Sequence, residues 1–343
     1  MDIIHSGDGA TTTMTRQPTS AEAAQQQTTR RRPGRRWLRR ILYGLAGFLA
    51  LVVAAALLVA YVWQPSQESN FRSAYLAGSS YVETPVARFH YVKTGSGSPI
   101  VLLPGGTLWI YSYRHTIPEL AKHHTVYAVD LPGQGYTRVR DKQFRYDLDA
   151  MTDAVGQFMD AVGLKRASVV GHSWNGAVAL YLAERHPERV QRLALLDSPG
   201  LDVPSSWDFR PLESPVVGEL IGKLMTKSTY GGTLAKSFAH PDRLTDADID
   251  EYWAPESRTE NRMAMWMLQR NLDYTLTERR LGEVKVPTLI LWGGKDAFDE
   301  PWQATELGRR IPGATVRIIP DAGHNVHEDA PTQANPILAA FLD

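Results

Sequence analysis

Residues 167–181 read ASVVGHSWNGAVALY, and the other informative pieces of the chain are placed relative to them. Ser168, Val169 and Val170 form a short, partly β-branched run ending at Gly171, the pattern of a buried strand. From Ala177 to His186, Ala, Leu and Tyr recur at helical spacing. Between them stand Gly171-His172-Ser173-Trp174-Asn175-Gly176. A strand that turns into a helix within so few residues must bend sharply, and glycine relieves the crowding at such a bend. A serine at the apex projects its hydroxyl outward, while the N–H groups that follow belong to a helix N-terminus, which favours negative charge. The stretch reads as a nucleophile elbow and points to acyl-transfer chemistry. One residue departs from Gly-x-Ser-x-Gly: Asn175 occupies the place of the second glycine, and Gly176 follows it.

The chain around this elbow has 343 residues, enough for one large α/β domain with additions. Its 43% hydrophobic and 22% charged residues are those of a globular protein. With no cysteine, disulfides and thiolate catalysis are excluded. The formal net charge of zero hides an asymmetry. Residues 1–40 hold eight arginines against Asp2, Asp8 and Glu22, a net of +5, which leaves −5 for the remainder.

The residues after the arginines decide what the basic cluster is for. Ile41 to Trp63 is 23 residues without a charge. At about 1.5 Å per residue this spans roughly 34 Å, enough for a hydrocarbon core of about 30 Å. Trp37 and Tyr43 mark one interface, Tyr61 and Trp63 the other. Arginines precede the span and Gln64, Ser66 and Gln67 follow it, so the positive-inside rule keeps the N-terminus cytoplasmic and places the rest on the outer, periplasmic or extracellular, side. A cleaved signal peptide is the competing reading, but its apolar region is normally about 7–15 residues. An uncleaved, single-pass signal anchor is expected, with membrane lipid rather than nucleic acid as the partner of the basic residues.

Beyond the span, Val86–Lys93, Pro99–Leu103, Thr125–Leu131, Arg192–Leu196, Thr288–Trp292 and Thr315–Ile319 read as strands, with a helical period over Leu148–Val162. Strands alternating with helices predict a mostly parallel α/β sheet. Residues 201–281 interrupt the alternation with helical patterns at Val216–Met225, Asp246–Trp253 and Asn261–Leu272. The expected organisation is a disordered basic tail over 1–36, the transmembrane anchor over 37–63 and a linker over 64–82. The core follows over 83–200 and 282–343, with a helical lid, 201–281, inserted after the sixth strand. Trp253, Met263, Met265, Trp266 and Met267 make that insert rich in large apolar side chains. A few of them, with Trp109, are expected to line an apolar pocket.

Five motifs in order carry a family resemblance. They are Leu102-Leu103-Pro104-Gly105-Gly106; Asp130-Leu131-Pro132-Gly133-Gln134-Gly135-Tyr136-Thr137; the elbow; Leu291-Trp292-Gly293-Gly294-Lys295-Asp296; and Gly323-His324-Asn325-Val326-His327-Glu328-Asp329-Ala330-Pro331. From about Val86 to Asp343 the chain resembles the α/β-hydrolase superfamily in its lidded, serine esterase-like branch. Pro104 stands where the family has histidine, Thr137 where serine is frequent, and Asp329 where glutamate is common. The order Ser173, Asp296, His324 is the one this fold uses. The resemblance implies Ser173 as nucleophile, His324 as general base and Asp296 as the acid orienting it. It assigns the oxyanion donors to the backbone N–H groups of Gly106 and Trp174.

Asp197, after the Arg192–Leu196 strand, is the alternative acid. Asp299 is expected to be a solvated helix-start residue, His327 to make a structural hydrogen bond, and His172 to be non-catalytic. His90 and His123-His124 are expected at the surface or an edge. No His/Asp/Glu spacing resembles a metal site, and no cofactor is expected. A serine nucleophile sets aside the aspartate-dependent epoxide hydrolases and haloalkane dehalogenases of the same superfamily. The leading expectation is hydrolysis of a carboxylic ester of a small, apolar molecule. Lactone opening, carbon–carbon hydrolysis and aminopeptidase activity share the triad, and a non-catalytic anchored scaffold is the reading from a different class. No feature of the sequence assigns an oligomeric state.

Overall fold

The computed structural model of the protein describes residues 34–63 and 68–343, with residue 13 besides. Most of the tail expected over 1–36, and the start of the linker at 64–67, lie outside the described residues. The chain divides into two units, residues 1–55 and 56–343. Helix α1 (Gly34–Tyr61) starts inside the stretch expected to be tail. Its Arg36–Tyr61 portion is long and apolar enough to cross a membrane, with mean hydropathy 2.5 over its most apolar window and none of that window buried in protein.

The second unit is built on a nine-stranded sheet: β1 (Ser80–Glu83), β2 (Ala87–Gly95), β3 (Ser98–Leu103), β4 (His124–Val129), β5 (Arg138–Val139), β6 (Ala167–His172), β7 (Val190–Leu196), β8 (Thr288–Gly293) and β9 (Thr315–Ile319). The spatial order is β1-β2-β4-β3-β6-β7-β8-β9, with β5 paired to β2. Strands β3, β4, β6, β7, β8 and β9 run parallel, and β1, β2 and β5 pair antiparallel at one end. The helices of two turns or more in this unit are α2 (Leu148–Ala161), α3 (Ser173–Arg185), α4 (Val217–Leu224), α5 (Lys227–Lys236), α6 (Asp246–Glu256), α7 (Thr259–Asn271), α8 (Trp302–Arg310) and α9 (Pro331–Leu342).

The alternation of side chains along the central strands produces the layers. Val101 and Leu103 of β3 join one core with Phe158 and Met159 of α2 and Leu180 of α3. Ile100 and Leu102 point the other way, into a second core with Leu338 and Leu342 of α9 and Tyr113. Residues one apart on a strand serve opposite faces, and helices cover both, as a parallel sheet requires.

The strands fall where the sequence predicts them, with two additions and one shift. β1 and β5 are short edge pieces that the sequence reading did not contain, and β1 begins within the expected linker. Counting them, the helical insertion follows the seventh strand in chain order rather than the sixth. Helix α5 is also new. Its Gly231 and Gly232 weaken helix propensity, and a reciprocal cap between Thr226 and Thr229 starts it.

The Asp130 turn locks the strand ends together. Asp130 is fully buried. Its carboxylate accepts from the N–H of Ile110 at 2.9 Å and of Tyr136 at 2.9 Å, and lies 2.7 Å from His90 Nδ1. Gly135 has φ +50°, and a Cβ there would stand 2.1 Å from that carboxylate, so the turn closes over Asp130 only with glycine. His90 is thus a core residue, as is His124, which contacts Ser98 Oγ and Asp343; only His123 of the three is exposed as expected. The error lay in reading histidine as polar when each finds a partner distant in sequence. Asp130→Ala leaves two buried N–H groups and an imidazole nitrogen unmet, and is expected to destabilise the protein by about 3 kcal/mol or more. Urea unfolding of the purified protein checks this, and a loss under 1 kcal/mol contradicts it.

Candidate active site

Strand β6 passes into helix α3 without an intervening loop: His172 ends the strand and Ser173 opens the helix. The helix starts four residues earlier than the apolar period suggests, because Ser173–Gly176 form its first turn. Ser173 takes φ +51°, a left-handed conformation that is costly for serine. A Cβ at Gly171 would lie 2.7 Å from the Cα of Gly176, so strand and helix touch through two glycines. Gly176, one place late in the motif, therefore supplies the close approach, and Asn175 is free for another task. Its Nδ2 donates to Pro104 O at 2.5 Å and to Gln134 Oε1 at 2.6 Å, tying the elbow to the loop after β3 and to the Asp130 turn.

The structure brings Ser173, His324 and Asp296 into one chain of contacts. Ser173 Oγ is 2.9 Å from His324 Nε2, and His324 Nδ1 is 2.9 Å from Asp296 Oδ2. The other oxygen of Asp296 accepts from the N–H of Phe298 at 2.8 Å and of Asp299 at 3.0 Å. Gly106 and Trp174 line the same cavity as Ser173 and His324. The N–H of Trp174 lies in the first turn of α3, where no intrahelical acceptor exists. A Cβ on Gly106 would fall 1.9 Å from the Trp174 ring, so this position requires glycine.

Asp197 lies elsewhere in the arrangement. Its two oxygens accept from the N–H of Gly293 at 2.7 Å and of Val326 at 3.1 Å, bracing the end of β8 against the histidine loop. Burial, then the charge of Asp296, pushes its carboxyl well above the usual range. Asp299 departs from expectation. It is half-buried beside the imidazole rather than solvated, and burial is the main cause that raises its carboxyl to about 6.

Three buried histidines meet here and differ in charge. Burial alone pulls His324 down, but Asp296, with Asp299 and Asp197 behind it, more than offsets this and carries the ring up to about 9. His172 is held well below the usual histidine value by burial and by its two histidine neighbours, and its Nε2 donates to His324 O at 2.9 Å. His327 is pushed down to about 3 by burial and by Arg114. Neither ring nitrogen of His327 has a hydrogen-bond partner, contrary to expectation. The ring packs instead on Tyr113 and His172, with centroids 4.6 and 4.8 Å away.

Asp296, Asp299 and His324 also form a group whose potential ligand atoms lie within 4.8 Å of one another, which the sequence spacing did not suggest. Both imidazole nitrogens already face Asp296 and Ser173, so a cation would have to break those contacts to bind.

Of the apolar residues singled out in the insertion, Met265 lines the cavity, while Trp253, Met263, Trp266 and Met267 do not. Trp109 is buried away from it and donates to Glu251 O at 3.0 Å. The walls come instead from Leu108, Phe209, Met225, Tyr230, Leu234 and Phe298. A polar brace was also missed. Arg114 pairs with Glu328 and, at 3.1 Å, with Asp248, while Tyr252 donates to Glu328 and Tyr111 to Asp248, joining α6 to the histidine loop.

Residues 98–331 match a protein-family model described as the alpha/beta hydrolase fold. The chain is 25% identical over 273 residues to the cis-3-alkyl-4-alkyloxetan-2-one decarboxylase of Shewanella oneidensis, covering 74% of this chain and 85% of that one. It is 27% identical over 281 residues to haloalkane dehalogenase 2 of Mycobacterium tuberculosis, covering 77% and 94%. A solved structure described as a bacterial membrane phospholipase A is similar with a TM-score of 0.65 and 26% identity, over 89% of this chain and 98% of that one.

The electrostatics give a test that needs no substrate. The His324 ring is expected to titrate near pH 9 by NMR of isotope-labelled imidazole, since a raised value means the charged form persists until the pH passes it. Asp296→Asn removes the main opposing charge, lets burial act, and brings the midpoint down to or below the ordinary value of about 6.5. A wild-type midpoint near 6.5 contradicts the assignment.

Proposed function

The chain belongs to the α/β-hydrolase fold family, and from that premise we propose that it is a membrane-anchored serine hydrolase that cleaves a carboxylic ester of an apolar acyl group through an acyl-enzyme at Ser173. The observation that carries the reading is the contact chain Ser173 Oγ, His324 Nε2, His324 Nδ1, Asp296 Oδ2, with both links 2.9 Å long. Serine at its own pKa is a poor nucleophile, so the neutral form of His324, the minor form below about pH 9 in the free site, takes its proton as Oγ attacks the ester carbonyl carbon. The N–H groups of Gly106 and Trp174 receive the oxygen that becomes negative, and losing one such donor typically costs about 2.7–4 kcal/mol. His324 then returns the proton to the departing alcohol. In the second half, water attacks the acyl-enzyme with His324 again as base, and the acid leaves. Asp296 holds the ring's tautomer and stabilises its charged form.

Asn175, at the place of a motif glycine, supports this reading through its hold on Pro104, two residues before Gly106. The segment 201–281 is proposed to act as the lid, since Phe209, Met225, Tyr230, Leu234 and Met265 wall the cavity. Anchoring by α1, with the arginines cytoplasmic and the hydrolase unit outside, is part of the proposal. It is supported by the apolar length of the helix and by the likeness to a membrane phospholipase A. Serine at the elbow, where halide displacement uses aspartate, separates the proposal from the dehalogenase relative.

The test uses the full chain in nanodiscs. Fluorophosphonate is expected to label the wild type and not Ser173→Ala, and Ser173→Ala to lose most ester turnover; an unlabelled wild type supports the scaffold reading instead. Asp296→Asn is expected to lose up to about 10⁴ in kcat. Asp197→Asn, with circular dichroism showing it folded, is expected to stay within roughly tenfold in kcat/KM, about 1.4 kcal/mol. The reverse ranking transfers the acid role to Asp197. From acetyl to hexanoyl esters kcat/KM is expected to rise by at most about fourfold per methylene, and a fall from acetyl onward removes the apolar acyl pocket from the proposal.

A further inference from the structure

Two cavities open on Ser173 and His324, and their linings differ in chemistry. The rings of Trp174, Phe209 and Phe298 border both. Phe209 stands edge-on to Trp174 at 5.7 Å and to Phe298 at 5.0 Å, so the three form a wall between them. On one side the wall faces Leu108, Met225, Leu234 and Met265, with no carboxylate, Lys or Arg in the lining. On the other side it faces Tyr274, Gln269 and Asp299. Among the described residues, Asp299 is the only carboxylate in either lining, and no Lys or Arg accompanies it. Among the described residues, the hydrogen bond its side chain accepts is from the Gln303 amide, at a long 3.5 Å.

Above about pH 6, where Asp299 is ionised, charge at this end of the site is negative in either state of the base. Asp296 and Asp299 both lie against the single imidazole of His324. One imidazolium cannot neutralise two carboxylates. A pocket that combines aromatic faces with an uncompensated carboxylate attracts cations, and most strongly those whose charge is weakly hydrated, because a ring face offers no hydrogen bond to replace lost water. A polyol would need donors and acceptors that Phe209, Phe298 and the apolar Leu201, Val203 and Pro204 of the same lining do not provide. The same lining also holds Ser205, Ser206 and Gln269, but Gln269 Nε2 already donates to Ser205 Oγ at 2.7 Å and Ser205 donates to Glu213 at 2.6 Å, so two of these groups are committed to each other and to Glu213 rather than open to a polyol.

The reaction geometry says which half of an ester each cavity takes. Of the two proposed oxyanion donors, Trp174 borders both cavities and Gly106 only the apolar one. The leaving oxygen must take its proton from His324, which lines the second cavity together with Asp299. The acyl chain therefore occupies the apolar cavity and the alcohol the second. Building on the ester-hydrolase reading, we infer that the second cavity binds an onium group, so that the substrate class is an apolar acyl ester of an alcohol carrying a quaternary or substituted ammonium centre.

The test compares charge at constant shape, with the full chain in nanodiscs and p-nitrophenyl butyrate as the control for general esterase activity. Choline butyrate and 3,3-dimethylbutyl butyrate have the same outline and differ by one positive charge. The wild type is expected to favour the choline ester roughly tenfold in kcat/KM, the order a desolvated cation–aromatic contact supplies. Asp299→Asn is expected to bring that ratio close to one. Any change it causes in the basicity of His324 acts on both esters alike and leaves the ratio untouched, so the ratio separates binding of the cation from an effect on the base. Tyr274→Leu, which keeps the carboxylate and removes an aromatic face, is expected to lower the ratio less. Tetramethylammonium should inhibit hydrolysis of the choline ester competitively in the wild type and not in Asp299→Asn. A wild-type ratio of one or below, a ratio unchanged in Asp299→Asn, or glyceryl butyrate outrunning both esters each overturns the inference while ester hydrolysis stands. No turnover of the p-nitrophenyl ester overturns the ester-hydrolase reading itself.

Discussion

The 2.9 Å contact between His324 Nε2 and Ser173 Oγ, on which the proposed base and nucleophile depend, joins segments about 150 residues apart. The loop that carries His324 has no regular structure before the one-turn helix Val326–Asp329, so its place is set by ties from other elements. Asp329 Oδ2 accepts from the N–H of Gly323 and of Ala239, each at 2.8 Å. Asp197 accepts from the N–H of Val326, and His172 donates to the carbonyl of His324. The Gly323 tie closes the loop on itself, and the others reach the ends of β6 and β7 or the insertion. The elbow is fixed just as firmly from the other side, by two glycines in contact and a serine held at positive φ. A fault in either half opens the gap, and in the proposed mechanism a hydrogen bond lost at this distance removes the base rather than weakening it.

The same crowding sorts the three histidines. All are buried, and burial lowers each. Only His324 has carboxylates against it, and so only His324 is basic. His172 fills the space beneath Gly105, where a Cβ would stand 2.5 Å from its Nδ1, and carries the loop after β3 on its edge. His327 packs at a tilt of 33° against Tyr113 and stays neutral. Two of the rings thus act as flat spacers between the loop that holds Gly106 and the loop that holds the base. Charging either would place a second cation beside His324, and burial together with Arg114 prevents that.

The parallel sheet and the motif residues at its strand ends were legible because their signals are local. A buried strand is a run of Val, Ile and Leu, and a strand-end motif lies within six or eight residues of it. The edge pieces β1 and β5 were not legible. Four and two residues that gain their structure from pairing with β2 carry no period of their own. His90 and His124 were placed at the surface because a histidine's burial depends on finding Asp130 or Ser98, 40 and 26 residues away. In the insertion the composition was read correctly as apolar, but composition does not say which way a helix turns. Met265 faces the cavity, while Met263 and Met267, two residues to either side, do not, as a 3.6-residue period demands. Phe209, Met225 and Phe298 lie in irregular backbone or at helix ends, where no period exists to read.

Asn175 shows how a departure from a motif can be resolved by geometry. A glycine at this position would leave Pro104 O and Gln134 Oε1 without their shared donor. Asparagine fits because the close contact with Gly171 has moved to Gly176, and Gly176 in turn packs on Ser198, which a Cβ there would meet at 2.3 Å. The exchange carries a cost: Asn175 Oδ1 and Gln134 Nε2 are left without protein partners in the interior. An amide is nonetheless the one side chain of this size that donates two hydrogen bonds to two acceptors without adding charge. Aspartate would set a carboxylate against two oxygens, and a hydrocarbon would leave both unmet. The elbow, the Asp130 turn and the loop leading to Gly106 meet at this amide, so its two hydrogen bonds relate the position of Ser173 to that of Gly106, the proposed nucleophile and oxyanion donor.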